Sequence, residues 1–333
     1  MKRSLYLHIG SHRTATSSIQ AFMHANREAF IARGCLYPYN VKRHFKIVNE
    51  ILNGHADVAD VAADLNARCD NKDVPIDRIV ISDEDICMRQ DLEPLARLRD
   101  HFDVKVIFYL RRQDHWLESW YLQNVKWQWN PRYSHCTFDE FLAMREDFHW
   151  IHYDRYVKML EKRFGAENLQ LVVFEKDQMP GGPVIEFCRQ IGFDDVSEMG
   201  KPAHTNASHS AEMVEFMRHL PLDALDGPER ELVRRTLEQV DREHLGHTGK
   251  QSELILPLSA RSRVLGKYQK GNAALAKRLF DRKELFLDPL PARDAPLARL
   301  EIPRDSAAAI ERFVAPLILQ LVANGTISSK NRK

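Results

Sequence analysis

The sequence has almost no net charge. Its 48 Lys and Arg residues stand against 47 Asp and Glu residues, which leaves a formal charge of +1 over 333 residues. A protein that coats nucleic acid, or that binds acidic membranes through a polybasic surface, carries a larger positive excess. The composition therefore predicts no nucleic-acid partner. Hydrophobic residues make up 44% and charged residues 29% of the chain, which is typical of a globular protein with a sizeable core.

Cysteine is scarce and long apolar runs are missing at the start of the chain. The five cysteines, at positions 35, 69, 87, 136 and 188, form no CxxC pair, and such an odd, dispersed set is typical of reduced thiols. The opening MKRSLYLHIGSHR has too short an apolar stretch for a signal peptide, and a membrane-spanning helix needs about 20 apolar residues. We therefore expect a cytoplasmic protein without a transmembrane segment.

Strand patterns alternate with helix patterns over the first 200 residues. The strands are predicted at 4–9, 78–82, 104–110 and 169–174. The helices are predicted at 17–33, within 42–70, and at 84–100, 113–129, 138–146, 152–164 and 183–191. This alternation predicts right-handed crossovers and a parallel sheet with helices on both faces.

Beyond residue 200 only helices are predicted, at 209–220, 228–244, 258–280 and 305–324. No internal repeat and no low-complexity linker interrupts the chain. We expect one domain over 1–333, built from an α/β core at 1–200 and a helical C-terminal extension at 201–333.

The loop GSHRTATSS follows the first predicted strand and precedes a helix. It combines a cation, several hydroxyls and a helix start, which together favour a phosphate. Ser17 and Gln20 fit a capping box. Counted from Gly10, a Walker A motif would require Gly at 15 and Lys at 16, where the chain has Ala and Thr. The loop is therefore not that of an ordinary NTPase; a capped helix behind a polar loop is the alternative.

The segment LHIGSHRTATSSIQ resembles the loop by which sulfotransferases bind the 5′-phosphosulfate of 3′-phosphoadenosine-5′-phosphosulfate (PAPS). The resemblance implies a P-loop-NTPase-like three-layer fold. It also implies that the donor is held by Arg13, Thr14, Ala15, Thr16, Ser17 and Ser18. Two positions depart from the usual pattern. Arg13 replaces a lysine and keeps its charge with a different shape. Ala15 replaces a glycine, and alanine fits there only where the backbone does not need a positive φ.

A second piece of the same resemblance lies at the end of the strand 104–110. In sulfotransferases an arginine at a strand end and a serine eight residues later hold the 3′-phosphate, and Arg111 and Ser119 have this spacing. Arginine can donate two hydrogen bonds to a phosphate while a hydroxyl donates from the adjacent helix. The alternative is an arginine pair at a solvent-exposed strand end. The order and separation of the two pieces favour the phosphate site.

Sulfuryl transfer needs a base for the acceptor proton and a cation on the bridging oxygen. We assign Arg13 to the bridging oxygen, and the reaction demands no metal. Glu84 best matches a Ser-Glu pair that related carbohydrate sulfotransferases often have at this point, although it could instead complement a helix dipole. His12, which lies in the loop itself, is the rival base because histidine is a common general base, and Asp83 is third.

Other segments carry weaker signals. Trp116, Trp120 and Tyr121 share a helical face that predicts core packing, whereas Trp127 and Trp129 are candidates for an acceptor cleft. Residues 261–283 hold eight Lys or Arg and one Asp, which indicates either a solvated helix face or a surface for an anionic ligand. Residues 201–208 resemble an Asn-x-Ser segment of bacterial sulfotransferases and could equally cap a helix.

The sequence thus predicts a bacterial-type, PAPS-dependent sulfotransferase that acts on a hydroxyl of a carbohydrate or glycolipid. Two alternatives remain open: a kinase-like phosphoryl transferase, and a non-catalytic nucleotide-binding protein with a degenerate loop. The acceptor and the oligomeric state are not determined by the sequence.

Overall fold

The fold is organised around a five-stranded, fully parallel sheet. A computed structural model describes residues 2–200, 209–247 and 254–326, so the predicted segment 201–208 lies outside the described residues. The strands are β1 (Ser4–His8), β2 (Cys35–Leu36), β3 (Arg78–Ser82), β4 (Asp103–Leu110) and β5 (Leu169–Val173), in the spatial order β2-β3-β1-β4-β5. The predicted α/β class with a parallel sheet is confirmed. The sequence prediction missed β2, which is too short to show a pattern.

The register of the three central strands aligns their carboxyl ends. His8 at the end of β1 pairs with Ser82 at the end of β3 and with Ile107 of β4. The loops that follow these strands therefore leave the sheet at the same edge. In open parallel sheets this carboxyl edge is where ligands bind.

Burial of both faces explains why these segments are strands. Leu5, Leu7 and the residues of β4 from Val106 to Leu110 are almost fully buried. A strand covered on both faces has a nearly continuous apolar run rather than an alternating one. This is the pattern that made the strand at 104–110 recognisable.

The helices confirm most of the predicted positions. The α-helices of the first 200 residues are α1 (Thr16–Ala25), α2 (Arg27–Ala32), α3 (Phe45–Leu52), α4 (Val58–Asp70), α5 (Glu93–Ala96), α6 (Gln113–Trp127), α7 (Pro131–Ser134), α8 (Phe138–Ala143), α9 (Tyr153–Phe164) and α10 (Pro183–Gln190). Those that follow are α11 (Ala211–Arg218), α12 (Gly227–Glu243), α13 (Leu258–Phe280), α14 (Ser306–Ala309) and α15 (Ala315–Ala323).

Two of the predicted helices are interrupted. The segment 17–33 is divided at Asn26, whose side-chain amide donates to the carbonyl of Phe22 and whose side-chain oxygen accepts from the amide of Gly200. The segment 84–100 contains two 3-10 turns, Glu84–Met88 and Arg97–Asp100, on either side of the short α5. Pro94 stands in the first turn of α5, and a proline there prevents the helix from continuing from the amino-terminal side.

The chain divides into two compact units. The first comprises Met1–Gln113, Asp147–Thr205 and Leu265–Pro289; the second comprises Asp114–Glu146, Asn206–Val264 and Leu290–Lys333. The first unit holds all five strands, and the described residues of the second form helices without a strand. The prediction of a single domain with a division near residue 200 stays a prediction.

A buried charge cluster lies within the second unit. The guanidinium of Arg261 is fully buried and pairs with the carboxylates of Asp114 and Glu118. Glu118 also accepts from the amides of Ile255 and Leu256, which satisfies the hydrogen-bonding capacity that a buried carboxylate must fill. The aromatic residues on the same helix are buried as predicted: Trp116, Trp120 and Tyr121.

Four of the eight cations of the basic segment 261–283 have partners in the structure. Besides Arg261, Lys277 pairs with Asp281 and Arg278 with Glu161, and Arg282 donates to Gln178. The remaining four, Arg263, Lys267, Lys270 and Lys283, are exposed. Of the four that have partners, only Arg261 and Arg278 are paired with carboxylates outside the segment. Asp281 belongs to the segment itself and Gln178 carries no charge.

One helical stretch is long and apolar enough to cross a membrane, judged by length and composition alone. It runs from Ser306 to Ala323 and has a mean hydropathy of 1.5. Only 6% of its residues are buried. It consists of α14, a π-helical turn at Ile310–Val314, and α15. The predicted absence of a transmembrane segment stays a prediction.

Candidate functional site

The loop after β1 packs against the end of β3. Gly10 has a φ of +92°, and a Cβ atom built there would lie 3.2 Å from the Cβ of Glu84. Glycine is therefore required at this position both by the backbone angle and by the close approach. The contact places Glu84 directly beside the loop that the sequence predicted as a phosphate site.

Two hydroxyl groups of this loop donate hydrogen bonds to backbone carbonyls. Thr14 donates through Oγ1 to the carbonyl of Ser11 at 2.6 Å, and Ser11 donates through Oγ to the carbonyl of Tyr109 at 3.3 Å. The amide of Tyr109 in turn donates to the carbonyl of Gly10 at 2.7 Å. These bonds tie the loop to β4. The predicted role of Thr14 in donor binding stays a prediction.

Helix α1 starts without a side-chain cap. Its N-cap residue is Ala15, which has no hydrogen-bonding group, and no side chain caps the helix. The predicted capping box of Ser17 and Gln20 is therefore wrong, because Ser17 lies inside the first turn and Gln20 reaches towards β3 instead. The amides of a first helical turn have no partner within the helix. Together with the positive end of the helix dipole they favour an anion.

The backbone at Ala15 is left-handed, with φ +62° and ψ +23°. Alanine was expected to fit here only if the backbone does not need a positive φ, and the observed φ contradicts that expectation. Arg13 is also left-handed, with φ +66°. A residue with a Cβ atom in this conformation costs roughly 1–2 kcal/mol. Alanine and arginine therefore adopt a backbone geometry in this loop that glycine adopts more readily.

Arg111 connects the end of β4 with the loop. Its Nη1 donates to the carbonyl of Arg13 at 2.5 Å, across 98 positions of sequence. The hydroxyl of Tyr153 accepts from the amide of Arg111 and donates to its carbonyl, which fixes the backbone at the strand end. The guanidinium carbon also lies 5.6 Å from the centre of the Phe174 ring. Arg111 thus lies against the loop; its predicted role at a 3′-phosphate stays a prediction.

Ser119 lies on the second turn of α6 and is 4% exposed. Arg111 belongs to the first unit and Ser119 to the second. Their joint role at a 3′-phosphate stays a prediction.

The neighbouring Arg112 has a different role. It is 6% exposed, and its Nη1 donates to the carbonyls of Asp288 and Pro289. The carboxylate of Glu175 accepts from the amides of Leu287 and Asp288. These contacts attach the segment after α13 to the carboxyl ends of β4 and β5.

Three consecutive acidic residues follow β3, and Arg43 binds all of them. Its guanidinium is 2.6 Å from Asp83 Oδ1, 2.5 Å from Asp85 Oδ2 and 3.5 Å from Glu84 Oε2. Burial raises the pKa of Asp83 to about 6, although Arg43 acts in the opposite direction. Sequence reasoning did not find Arg43, since it lies 40 residues away in the segment before α3 and belongs to no motif.

Both candidate bases have a partner that orients them. Gln20 donates from Nε2 to Glu84 Oε2 at 2.6 Å, and His12 Nε2 lies 3.1 Å from Asp85 Oδ1. Burial works to raise the pKa of Asp85, but the contacts with His12 and Arg43 outweigh it and lower that pKa. Glu84 and His12 are 8% and 7% exposed. The structure therefore brings Glu84, His12 and the loop together. Among the described residues, no group of three or more His, Cys, Asp or Glu side chains is arranged to hold a metal ion.

Two buried, neutral histidines each contact Ser82 at the end of β3. His8 Nδ1 is 2.7 Å from Ser82 Oγ, and burial lowers the pKa of His8 to about 3. His44 Nδ1 accepts from the amide of Ser82 while Nε2 contacts the carbonyl of Pro38. Burial lowers the pKa of His44 to about 4. Neither imidazole carries a charge near neutral pH, so they position the strand end without adding to the electrostatic field of the loop.

Comparisons with known proteins leave the family of this chain undetermined. No protein-family model matches it. An uncharacterized protein of Archaeoglobus fulgidus is 27% identical over 189 residues, which is 55% of this chain; the chain spans about half the length of that relative (48%). The crystal structure of a sulfotransferase from Alicyclobacillus acidocaldarius overlaps 74% of this chain and 96% of its own, with a TM-score of 0.39 and 16% identity. A likeness of that degree carries no conclusion about activity.

Replacement of Ala15 by glycine should stabilise the protein by about 1 kcal/mol, because glycine adopts the left-handed conformation without a steric cost. The matched control is Ala21→Gly within the same helix, where glycine should instead destabilise by about 1 kcal/mol. Urea denaturation of both variants gives the free energies of unfolding. A loss of stability in Ala15→Gly equal to that in Ala21→Gly would contradict the strained conformation.

The buried titratable groups predict how stability depends on pH. His8 and His44 are neutral in the folded protein and bind protons on unfolding below about pH 6.5, so acidification from pH 6.5 to 4 should lower the free energy of unfolding. Asp83 acts in the opposite direction between about pH 6 and 4, because its folded form takes up a proton before the unfolded form does.

The variant Asp83→Asn removes this opposing contribution and should lose stability more steeply over that interval, by up to about 1.4 kcal/mol per pH unit. Denaturant titrations of both proteins at several pH values measure the slopes. Parallel slopes would show that Asp83 is not protonated in this range.

Proposed function

We propose that this protein is a PAPS-dependent sulfotransferase that transfers the sulfuryl group to a hydroxyl of a carbohydrate or glycolipid and releases 3′-phosphoadenosine-5′-phosphate. The observation that carries the proposal is the hydrogen bond from Arg111 to the carbonyl of Arg13. It joins two separate sequence pieces that the same resemblance assigns to one nucleotide. The donor that these pieces imply has two anionic groups, a 5′-phosphosulfate for the loop and a 3′-phosphate for Arg111.

The loop has the components that a phosphosulfate requires. The first-turn amides of α1 have no side-chain cap, and the backbone of Thr14, Ala15 and Thr16 leads directly into them. Arg13 adds a cation that is only partly buried. In this assignment the 5′-phosphosulfate is bound by residues 13–18 and the 3′-phosphate by Arg111. The part of Ser119 stays a prediction.

The transfer itself is an exchange of one S–O bond for another. The acceptor oxygen forms a bond to sulfur, the bond from sulfur to the bridging oxygen breaks, and the acceptor proton passes to a base. Arg13 would stabilise the charge that develops on the departing phosphate oxygen. Glu84 is our first choice as base because it lies against Gly10, and His12, oriented by Asp85, is the alternative.

A non-catalytic nucleotide-binding protein is the second candidate. The left-handed backbone at both Arg13 and Ala15 favours it, since these are the two positions that depart from the usual sulfotransferase loop. In that case the chain would bind the nucleotide without transfer, and Arg13→Lys would restore activity.

Calorimetric titration with 3′-phosphoadenosine-5′-phosphate, beside AMP and ATP, tests the donor. We expect micromolar binding that requires the 3′-phosphate. Arg111→Ala should weaken it by about 2 kcal/mol, the scale of a lost charged hydrogen bond. Arg112→Ala is the matched control, because its guanidinium binds the carbonyls of Asp288 and Pro289. Equal binding of AMP, or tight binding of ATP with Mg²⁺ alone, would contradict the proposal and favour a phosphoryl transferase.

The base is tested by transfer from PAPS to a panel of saccharides, measured as release of the desulfated nucleotide. Glu84→Gln should lower transfer roughly a hundredfold or more while leaving nucleotide binding nearly unchanged. Normal transfer by Glu84→Gln together with its loss in His12→Gln would assign the base to His12. Binding without transfer in the wild-type protein, and transfer in Arg13→Lys, would identify the non-catalytic alternative.

A further inference from the structure

Arg43 is a partner common to the candidate bases. Its Nε lies 3.5 Å from Glu84 Oε2, and its Nη2 lies 2.6 Å from Asp83 Oδ1. The same Nη2 is 2.5 Å from Asp85 Oδ2, and the other oxygen of Asp85 is 3.1 Å from His12 Nε2. Arg43 therefore contacts Glu84 and Asp83 directly and reaches His12 through one carboxylate.

The backbone beside Arg43 is joined to the backbone beside the acidic turn. The next residue, His44, donates its amide to the carbonyl of Ser82 at 3.0 Å, and its Nδ1 accepts from the amide of Ser82 at 3.1 Å. Ser82 directly precedes Asp83. The guanidinium carbon also lies 5.2 Å from the centre of the Phe45 ring. A planar guanidinium that is placed in this way loses little further freedom when it binds carboxylates.

The three carboxylates of the turn differ in what they leave for a reacting group. Asp83 is fully buried. Asp85 has both oxygens engaged, one with an imidazole and one with Arg43. Glu84 Oε2 accepts from Gln20 at 2.6 Å and lies beside Arg43. Within the part of the chain that the structure describes, no hydrogen bond or ion pair reaches the second oxygen, Oε1. Glu84 is therefore the acid of this turn that keeps an oxygen for a proton.

The charge of Arg43 acts on the neighbouring acids. Burial raises the pKa of Asp83 to about 6, and Arg43 opposes that rise. Burial also works to raise the pKa of Asp85, but the contacts with His12 and Arg43 outweigh it and lower that pKa. Adjacent carboxylates disfavour one another's ionised forms, whereas a cation favours them. Arg43 thus counteracts the repulsion within the turn.

Other titratable side chains close to the turn are buried and neutral near pH 7: His8, His44, Tyr37 and Cys87. Burial lowers the pKa of the two histidines to about 3 and 4, and it raises the pKa of the tyrosine and of the cysteine. The response of the turn to pH therefore depends on its three carboxylates, on Arg43 and on His12.

We propose that Arg43 is the positioning residue for proton transfer to Glu84. Together with Gln20 it fixes one oxygen of this carboxylate, and it supplies a positive charge beside it. The other oxygen is then placed to accept the proton of an acceptor hydroxyl. The inference rests on the proposed function, because it concerns the base of the same transfer. Arg43 touches no reacting atom in this assignment and acts through Glu84.

The test is the pH dependence of transfer from PAPS to short soluble oligosaccharides, measured as release of the desulfated nucleotide. In Arg43→Gln the acid limb of the kcat profile should move to higher pH by about one unit or more, because a nearby cation favours ionised carboxylates. Arg43→Lys keeps the charge without the planar fork and should recover part of the shift. If Arg43 acts through Glu84, adding Arg43→Gln to Glu84→Gln should cost no further activity.

Arg68→Gln is the matched control. Arg68 belongs to the same unit, pairs with Asp64 at 2.8 Å, and has its guanidinium carbon 4.5 Å from the centre of the Tyr39 ring. Its removal deletes one cation and one ring contact without touching the acidic turn, so its profile should equal that of the wild type. Arg43→Gln leaves the buried Asp83 without its cation. Should melting temperatures show that this variant does not fold, Arg43→Gln/Asp83→Asn takes its place.

The two proposals fail in different ways. Transfer by the wild type with an unmoved acid limb in Arg43→Gln would overturn the role of Arg43 alone. A loss of transfer that is equal at every pH, or that adds to the loss in Glu84→Gln, would do the same. Absence of transfer in the wild type would reject the proposed function. Carbon-13 NMR titration of labelled carboxylates then decides on Arg43: higher midpoints for Asp83 and Asp85 in Arg43→Gln would support its action on the turn, and unchanged midpoints would overturn it.

Discussion

The parallel register of β1 with β3 and β4 is the constraint on which the candidate site depends. Backbone hydrogen bonds fix His8 opposite Ser82 and Ile107, and the three chains therefore leave the sheet side by side. The loop at Gly10, the acidic turn at Glu84 and the strand end at Arg111 are all consequences of this register. A shift of one residue in either pairing would turn every side chain of the strand to the opposite face and separate these groups.

Polar interactions then fix the positions of the groups at this carboxyl edge of the sheet. The loop is held from β4 by Arg111 and from within by Thr14, while Glu84 receives a hydrogen bond from Gln20. Arg43 keeps three adjacent carboxylates together that would otherwise repel one another. The left-handed backbone at Arg13 and Ala15 is the unfavourable contribution that these bonds offset. Strain of this kind is found where the surrounding structure determines a conformation that function requires.

Sequence reasoning predicted most of the helices and strands but not the contacts between their residues. The apolar run of β4 and the strand–loop–helix at Gly10 were visible because burial on both faces and loop chemistry leave local patterns. The division of the helix at Asn26, the role of Gln20 and the conformation of Ala15 were not visible. The first two depend on residues distant in sequence, Gly200 and Glu84, and local propensity contains no information about such partners.

By itself the sequence determined the α/β class, four of the five strands, the aromatic core face of α6, and the loop and strand-end residues that suggest a nucleotide. The tertiary structure alone decided which residues meet: Arg43 with the acidic turn, Gln20 with Glu84, and Arg111 with the loop at Arg13. The physical reason is the range of the interactions. Periodicity and loop composition are properties of neighbouring residues, whereas a buried hydrogen bond or ion pair forms between groups that only the folded chain brings within about 3 Å.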